Sequence, residues 1–451
     1  MSDTTASGMA VPGRPKSSLL EQTKLMRRRN AAEARFKAYG IGAIALSLSM
    51  LAIMLWTIVG DGVSSFFQAK LSFPMTLTAE TLDPKGNRNR DEMSKVTTIG
   101  YSKVLVAAFQ AEIERQGIVV EGVSDKDVAE MISKDAAGSL RATVLANPQL
   151  VGTTIDATVL ATGRIVGYLK GRVTMQTAER DSNVTPEQLI LADQLSAAGM
   201  LASSFNWAFL TSPDASDQRP EAAGLGVAII GSAYMMLLVM IATVPVGVAT
   251  SIYLEEFAPK NRWTDLIEVN ISNLAAVPSI VYGILGLALF INFFGFPQSS
   301  TLVGALVMSL MTLPTIIIAT RASIRAVPPS IRDAALGVGA SRMQTVFHHI
   351  LPLAMPGILT GTILGLASAL GETAPLLLIG MVAFVDNYPS APIEGFLDPA
   401  TALPVQVYGW AQRADPAFIE RSSGAIIVLL IFLVIMNVAA ILLRRKFERR
   451  W

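Results

Sequence analysis

The chain has no cysteine and, in 451 residues, only two histidines, His348 and His349. Disulfides and thiolate metal sites are excluded, and a domain outside the cytoplasm has to fold on its apolar core alone. A histidine metal centre has too few ligands. Charge is scarce too: Asp, Glu, Lys and Arg make up 16% of residues and nearly cancel, leaving +1, which gives no sign of nucleic-acid binding. No G-x-x-x-x-G-K-[ST] loop occurs, so the chain lacks the cradle with which P-loop proteins bind and hydrolyse ATP. No catalytic residue, metal or cofactor is assigned.

What the chain has is hydrophobicity: 51% of its residues are apolar or aromatic and its mean hydropathy is +0.48. Six stretches are long enough to cross ~30 Å of hydrocarbon as helices, each needing roughly 20 residues. They lie near Tyr39–Val59, Gly224–Tyr253, Leu266–Asn292, Leu302–Thr320, Leu353–Val385 and Gly424–Leu443. The first follows a long polar tail and has no small-residue cleavage site after it, so it is expected to stay as an anchor.

Basic residues set the expected orientation. Lys24, Arg27, Arg28, Arg29, Arg35 and Lys37 precede the first span. Lys260 and Arg262, then Arg321, Arg325, Arg332 and Arg342, then Arg444, Arg445, Lys446, Arg449 and Arg450 fall in alternate connections. The positive-inside rule makes all of these cytoplasmic, and six spans return both termini to that side. The organisation expected is a cytoplasmic tail (1–38), a first span (39–60), a periplasmic segment with an inserted domain (61–222), five further spans (223–443) and a cytoplasmic tail (444–451).

The segment between the first two spans opens on turn-forming residues at 82–90 and shows helical periodicity over Tyr101–Arg115, Asp125–Leu145 and Pro186–Ser203. Ser124 and Thr185 are placed as N-caps, with Pro186 at the first helical position. Residues 153–175, rich in Thr, Val and Ile, fit strand or helix. Asp125, Asp127, Glu130, Lys134 and Asp135 read as a solvated charged face. The fold class is therefore mainly α: a polytopic membrane protein of six transmembrane helices with a small α or α+β periplasmic domain between helices one and two.

The polar stretch 325–352 carries its own start and stop signals. Ser330 with Asp333 three residues on makes a capping box, Gly337 and Gly339 end the first helix, Ser341 with Gln344 opens a second, and Pro352 is expected to stop it. An elaborately capped pair of helices in a cytoplasmic loop reads as a docking surface, and on capping chemistry alone as an ordinary loop between spans.

The order Asp333-Ala334-Ala335, Gly339, Leu351-Pro352 resembles the EAA loop of ABC importer permeases. Asp333 stands where that family usually has Glu, and His349 where it usually has an aliphatic residue. Asn270 to Gly283 and Gly371-Glu372-Thr373-Ala374-Pro375 closely resemble signatures of phosphate-specific ABC permeases of the PstA type. The stretches 205–211, 245–257 and 375–380 are similar to the same subfamily, so the likeness runs from about Phe205 to the C-terminus and leaves Leu71–Ser204 outside it. The resemblance implies the fold of the ABC importer permeases and a coupling surface for an ATPase at Asp333, Ala334, Ala335, Gly339, Ser341, Arg342 and Gln344. It also implies an ATP-binding ABC subunit dimer, a second homologous permease subunit, a periplasmic phosphate-binding protein, inorganic phosphate and membrane lipid as partners, in the bacterial inner membrane.

A translocation path is expected through the apolar half. Pro245, Pro278, Pro314 and Pro375 each remove a backbone donor inside a span. Glu372, a carboxylate in an apolar stretch, faces a partner, a cavity or a relay. It could accept a hydrogen bond from protonated phosphate, pair with an arginine that phosphate borrows, or lock two helices together. Many relatives carry Arg four residues before this Glu; here Ser368 stands there, so Arg321, Arg325 or a partner subunit has to supply the cation. Asn270, Ser272, Asn273, Ser279 and Thr373 offer further donors, or pack helices. The functional reading is the permease subunit of an ATP-driven phosphate importer. The competing readings are a permease for another oxyanion, such as molybdate or sulfate, and a membrane-anchored phosphate sensor.

Overall fold

A computed structural model describes residues 24–381, 384–389 and 393–447. Arg449, Arg450 and the tail before Lys24 lie outside the described residues. The chain divides into two compact units, 1–57 and 58–451. The described part of the first is a single helix, α1, which spans Lys24–Gly62 and so begins well before the apolar stretch. An i,i+4 pair of Glu33 and Lys37 supports its polar start.

In the second unit a three-stranded antiparallel sheet anchors the inserted domain. Its strands are β1 (Phe67–Thr76), β2 (Thr154–Leu160) and β3 (Leu201–Phe205), in the order β2-β1-β3. β1 was not among the expected elements, although its alternation is visible in the residues. Its odd residues Leu71, Phe73 and Met75 are buried while Ser72, Pro74 and Thr76 are exposed, the period-two pattern of a half-buried strand. Pro74 is tolerated because β3 pairs only with Phe67–Leu71, leaving a free edge beyond.

Helices α2 (Thr98–Arg115), α3 (Asp125–Glu130), α4 (Ala136–Ala146), α5 (Gly163–Leu169) and α6 (Pro186–Ala197) complete the domain. The expected caps are present: Ser124 forms a capping box with Asp127, and Thr185 one with Gln188 behind Pro186. Two extents are corrected. The helix expected over Asp125–Leu145 is broken after Glu130, where Ile132 bridges to Ala161, and the one expected to reach Ser203 ends at Ala197 so that Leu201–Phe205 can join the sheet. Residues 153–175 are both strand and helix. Phe73 packs on Phe109 at 5.0 Å between centroids, inside a core that includes Leu71, Met93, Tyr101 and Leu189.

Among the described residues, five helices are long and apolar enough to cross a membrane, or six if one bent pair is a single span. Besides α1 they are α7 (Gly226–Ile252, continued by a π-helical turn Tyr253–Phe257), α10 (Thr301–Arg325), α12 (Leu351–Gly371) and α14 (Pro416–Phe447). The bent pair is α8 (Arg262–Ala275) and α9 (Ser279–Gly286, continued by π turns to Phe293), which meet at 102°. Pro278 sits in the break, so the stretch expected as one straight span is two arms. Gly357, Gly361 and Gly365 of α12 lie against Ser323, Ala319 and Ile316, so α10 and α12 pack antiparallel through a face without side chains on one partner.

The inserted domain is bound to this bundle by charge. Lys170 donates to Glu420 of α14 at 2.7 Å and to the Ser64 carbonyl at 2.7 Å, and Arg172 pairs with the other oxygen of Glu420. Arg421 donates to the Ala223 and Glu221 carbonyls at 2.6 and 2.9 Å and to Gln68 of β1 at 3.2 Å. Ser133 donates to the Glu221 carboxylate at 2.5 Å. Burial pushes the Lys170 ammonium below the usual lysine range despite Glu420, and pushes the Glu221 carboxyl up against the pull of Ser133. Removing one partner of a buried ion pair costs about 3–5 kcal/mol. Glu420→Ala should therefore loosen the domain, lowering its melting temperature by several degrees and opening residues 163–172 to protease. An unchanged cleavage pattern would show that the apolar contacts suffice.

Candidate coupling surface and translocation path

At one end of the bundle, α10 stops at Arg325, and α11 (Pro329–Gly337) follows. Its N-cap is Pro328 rather than Ser330, and no side chain caps it: Pro329 fills the first turn, where a missing N–H costs nothing, so the expected Ser330–Asp333 box does not form. The C-terminus is as expected. Gly339, at φ +89°, closes a Schellman motif in which Gly339 N–H donates to Leu336 O at 3.0 Å and Ala340 N–H to Ala335 O at 3.1 Å. Ser341 and Gln344 form their reciprocal box at 2.9 and 3.2 Å. The second helix is not stopped by Pro352. A π-helical turn at Thr345–Ile350 absorbs the register, Pro352 falls in the first turn of α12, and the helix runs from Arg342 to Gly371 past a further proline, Pro356.

Around Gly339 the surface is apolar and uncovered: Leu336, Val338, Met343 and Phe347 are exposed, and so are Asp333, Ala334, Ser341, Arg342 and Gln344, whereas Ala335 is buried. Beneath it lies a charge network that the sequence pattern did not reveal. The π turn ending α7 presents Glu256 to Arg332 at 2.8 Å and Glu255 to Arg325 at 2.7 Å and Arg321 at 3.3 Å; Glu268 of α8 reaches Arg321 at 2.5 Å. Arg332 also donates to the Ile324 and Val327 carbonyls at 2.9 and 2.7 Å. One network thus ties α11 to the ends of α7 and α10 and to the middle of α8. The signal for it was a pair of adjacent carboxylates closing an apolar run, opposite an arginine-rich loop.

The other expected residues gather elsewhere. α12 ends at Gly371; Glu372 is extended, its N–H bonded to Ala369 O, and Thr373 opens a short helix, α13 (Ala374–Leu378). Glu372 therefore lies in a break rather than inside a helix. Pro375 occupies the first turn of α13 and breaks no hydrogen bond there, contrary to expectation. Gly283 of α9 lies against Pro375, and Gly286 against Ile379, so α9 and α13 run parallel. Ser279 opens α9, and Glu372 and Thr373 precede α13. Glu372 is half-buried, and among the described residues its carboxylate has no hydrogen bond or ion pair.

Arg321 and Arg325 do not meet Glu372. The registry of α10 on α12 puts Arg321 near residue 359, thirteen residues before Glu372, or about 20 Å along the axis at 1.5 Å per residue. Asn270, Ser272 and Asn273 are exposed on α8, and Asn270 donates to the Leu266 carbonyl of its own helix at 2.7 Å.

Residues 244–451 match the family described as binding-protein-dependent transport system inner membrane component, and residues 23–179 a domain of unknown function, DUF3333. Across 230 residues the chain is 34% identical to the probable ABC transporter permease protein YqgI of Bacillus subtilis, covering 49% of this chain and 78% of that protein. The chain belongs to this permease family. Two further relatives are phosphate transport system permease proteins: PstA 2 of Mycobacterium bovis, 32% identical over 59% of this chain and 85% of that one, and PstA of Xylella fastidiosa, 31% identical over 50% and 77%. Among solved structures, the permease is similar to a chain of the inward-facing MetNI methionine ABC transporter, with 14% identity, a TM-score of 0.38 and coverage of 49% of this chain and 97% of that one. The family match begins within α7, and the inserted domain precedes it.

Proposed function

We propose that this permease is the membrane-spanning subunit of an ATP-driven importer of inorganic phosphate in the bacterial inner membrane. The identity to PstA proteins across the membrane half carries the reading. Its partners are an ATP-binding ABC subunit dimer on the cytoplasmic side, a second homologous permease subunit, and a periplasmic phosphate-binding protein. The basic clusters support a cytoplasmic position for both termini and the 325–352 surface, with residues 61–222 outside.

The geometry supports a division of labour. The exposed apolar rim around Gly339 offers the ATPase a surface, and the carboxylates of Glu255, Glu256 and Glu268 carry its displacement into α7, α8 and α10 through Arg332, Arg325 and Arg321. α10 moves α12 through their tight glycine seam. The far end of α12 is Glu372, beside the paired helix starts.

At that point phosphate meets hydroxyl donors from Ser279 and Thr373 and the unpaired N–H groups at the start of α9, which favour an anion. Glu372 accepts a hydrogen bond from a P–OH group. Fully ionised sulfate has no proton to offer and is repelled, a chemical basis for selecting phosphate. Arg321 and Arg325 act on the coupling side of the route, where carboxylates already hold them, and Asn270 and Asn273 line the exposed face of α8 available to the second permease subunit.

The test is uptake of labelled phosphate by proteoliposomes carrying the whole complex, with molybdate and sulfate as competitors. Phosphate alone should compete strongly. Equal competition by sulfate would replace phosphate with a broader oxyanion substrate.

A further inference from the structure

The apolar face of the insert's sheet runs past the core that covers it. In β1 and β3 the facing pair Leu71 and Leu201 is buried. Four residues along each strand, on the same face, the pair Phe67 and Phe205 is 45% and 39% exposed. Trp207 packs edge-on against Phe205 at 4.8 Å between centroids and is 68% exposed. Phe66 backs the group, 6.3 Å from Phe205 and 5.3 Å from Phe209. Phe67 and Trp207 thus each pack on Phe205, and all three large rings are left uncovered, although the sheet has buried apolar positions a few residues away.

Their place in the chain says what covers them. Phe67 comes five residues after Gly62, the last residue of α1, and Val59 and Val63, just before it in the chain, are also exposed. Exposed apolar residues therefore lie both at the end of a membrane-length helix and at the foot of the sheet that directly follows it. The indole N–H of Trp207 has no partner among the described residues, so the ring offers an apolar body and a free polar tip. That combination suits the boundary between acyl chains and headgroups.

We infer that Phe67, Phe205 and Trp207 form a lipid-facing foot by which the inserted domain rests in the bilayer interface, its occupant being phospholipid at the level of the upper acyl chain. The inference rests on the reading of the chain as membrane-spanning and is independent of the transported substrate. The domain is then held at two points, by Glu420 and Arg421 on the protein side and by this aromatic group on the lipid side, which fixes its tilt over the bundle.

The assembled transporter in lipid nanodiscs tests this, using the difference in fluorescence between wild type and Trp207→Phe, which retains a ring. Phospholipid brominated in the upper acyl chain should quench the Trp207 component by roughly twofold or more, as an interfacial indole requires. Bromine near the chain ends should quench it less, and aqueous acrylamide should reach it poorly. Quenching by acrylamide but by neither lipid would mean that the rings face water and would overturn the inference. Shielding from all three would mean that a protein surface covers them and would overturn it equally, as would strongest quenching by deep bromine. Loss of phosphate uptake is not a readout here, so failure of this inference and failure of the transport assignment are separable.

Discussion

Glu372→Gln should cut phosphate flux per assembled complex by about 10- to 100-fold, because hydrogen bonds to a charged partner are worth about 1.5–3 kcal/mol and the amide lacks the charge. Gln keeps the shape and one acceptor, so the break after Gly371 is preserved. The melting temperature should hardly move, since no ion pair or hydrogen bond to another described residue is lost. The measurement is uptake normalised to assembled complex, beside a thermal melt. Normal flux with a lowered melting point would make Glu372 a structural residue and remove it from the path.

Gly339→Val acts at the other end of the route. The residue lies at φ +89° with open space where a side chain would go, so the cost comes from the backbone alone. A β-branched residue in the left-handed region costs about 1–2 kcal/mol or more. The chain would escape that strain by giving up the Schellman bonds to Ala335 and Leu336, and α11 would then lose its angle to the helix that begins at Ser341. Transport and substrate-stimulated ATP hydrolysis should fall together, while Gly339→Asn, which tolerates this conformation, should retain most of both. A Val variant that assembled with full coupled activity would mean that the surface docks nothing.

The apolar runs were legible in the residues because burial in hydrocarbon demands length and composition, which one dimension records. The caps at Ser124, Thr185, Ser341 and Gly339 were legible because their partners are three to five residues away. Features that depend on a competing neighbour or on a distant partner were not. Ser330 has the right neighbours for a capping box, yet Pro328 and Pro329 start the helix first, and Pro352 looks like a stop but is absorbed by a π turn. Strand β1 shows its alternation over 71–77, but its partners were not legible because they lie far along the chain: Ser72 faces Thr158 in β2, and Phe67 faces Phe205 in β3.

The sequence by itself determined the class of protein: a membrane chain with a capped loop between spans, no P-loop, and a carboxylate near a proline in its apolar half. Each follows from local chemistry, hydrophobic length, capping partners and the cost of charge in lipid. Only the tertiary structure decided which charges meet. It gave Arg321 to Glu255 and Glu268 rather than to Glu372, laid α9 alongside α13, and bound the inserted domain to Glu420. The reason is geometric: an ion pair requires a few ångströms of separation, and helices packed in a bundle set that separation between residues tens to hundreds of positions apart, which no spacing along the chain encodes.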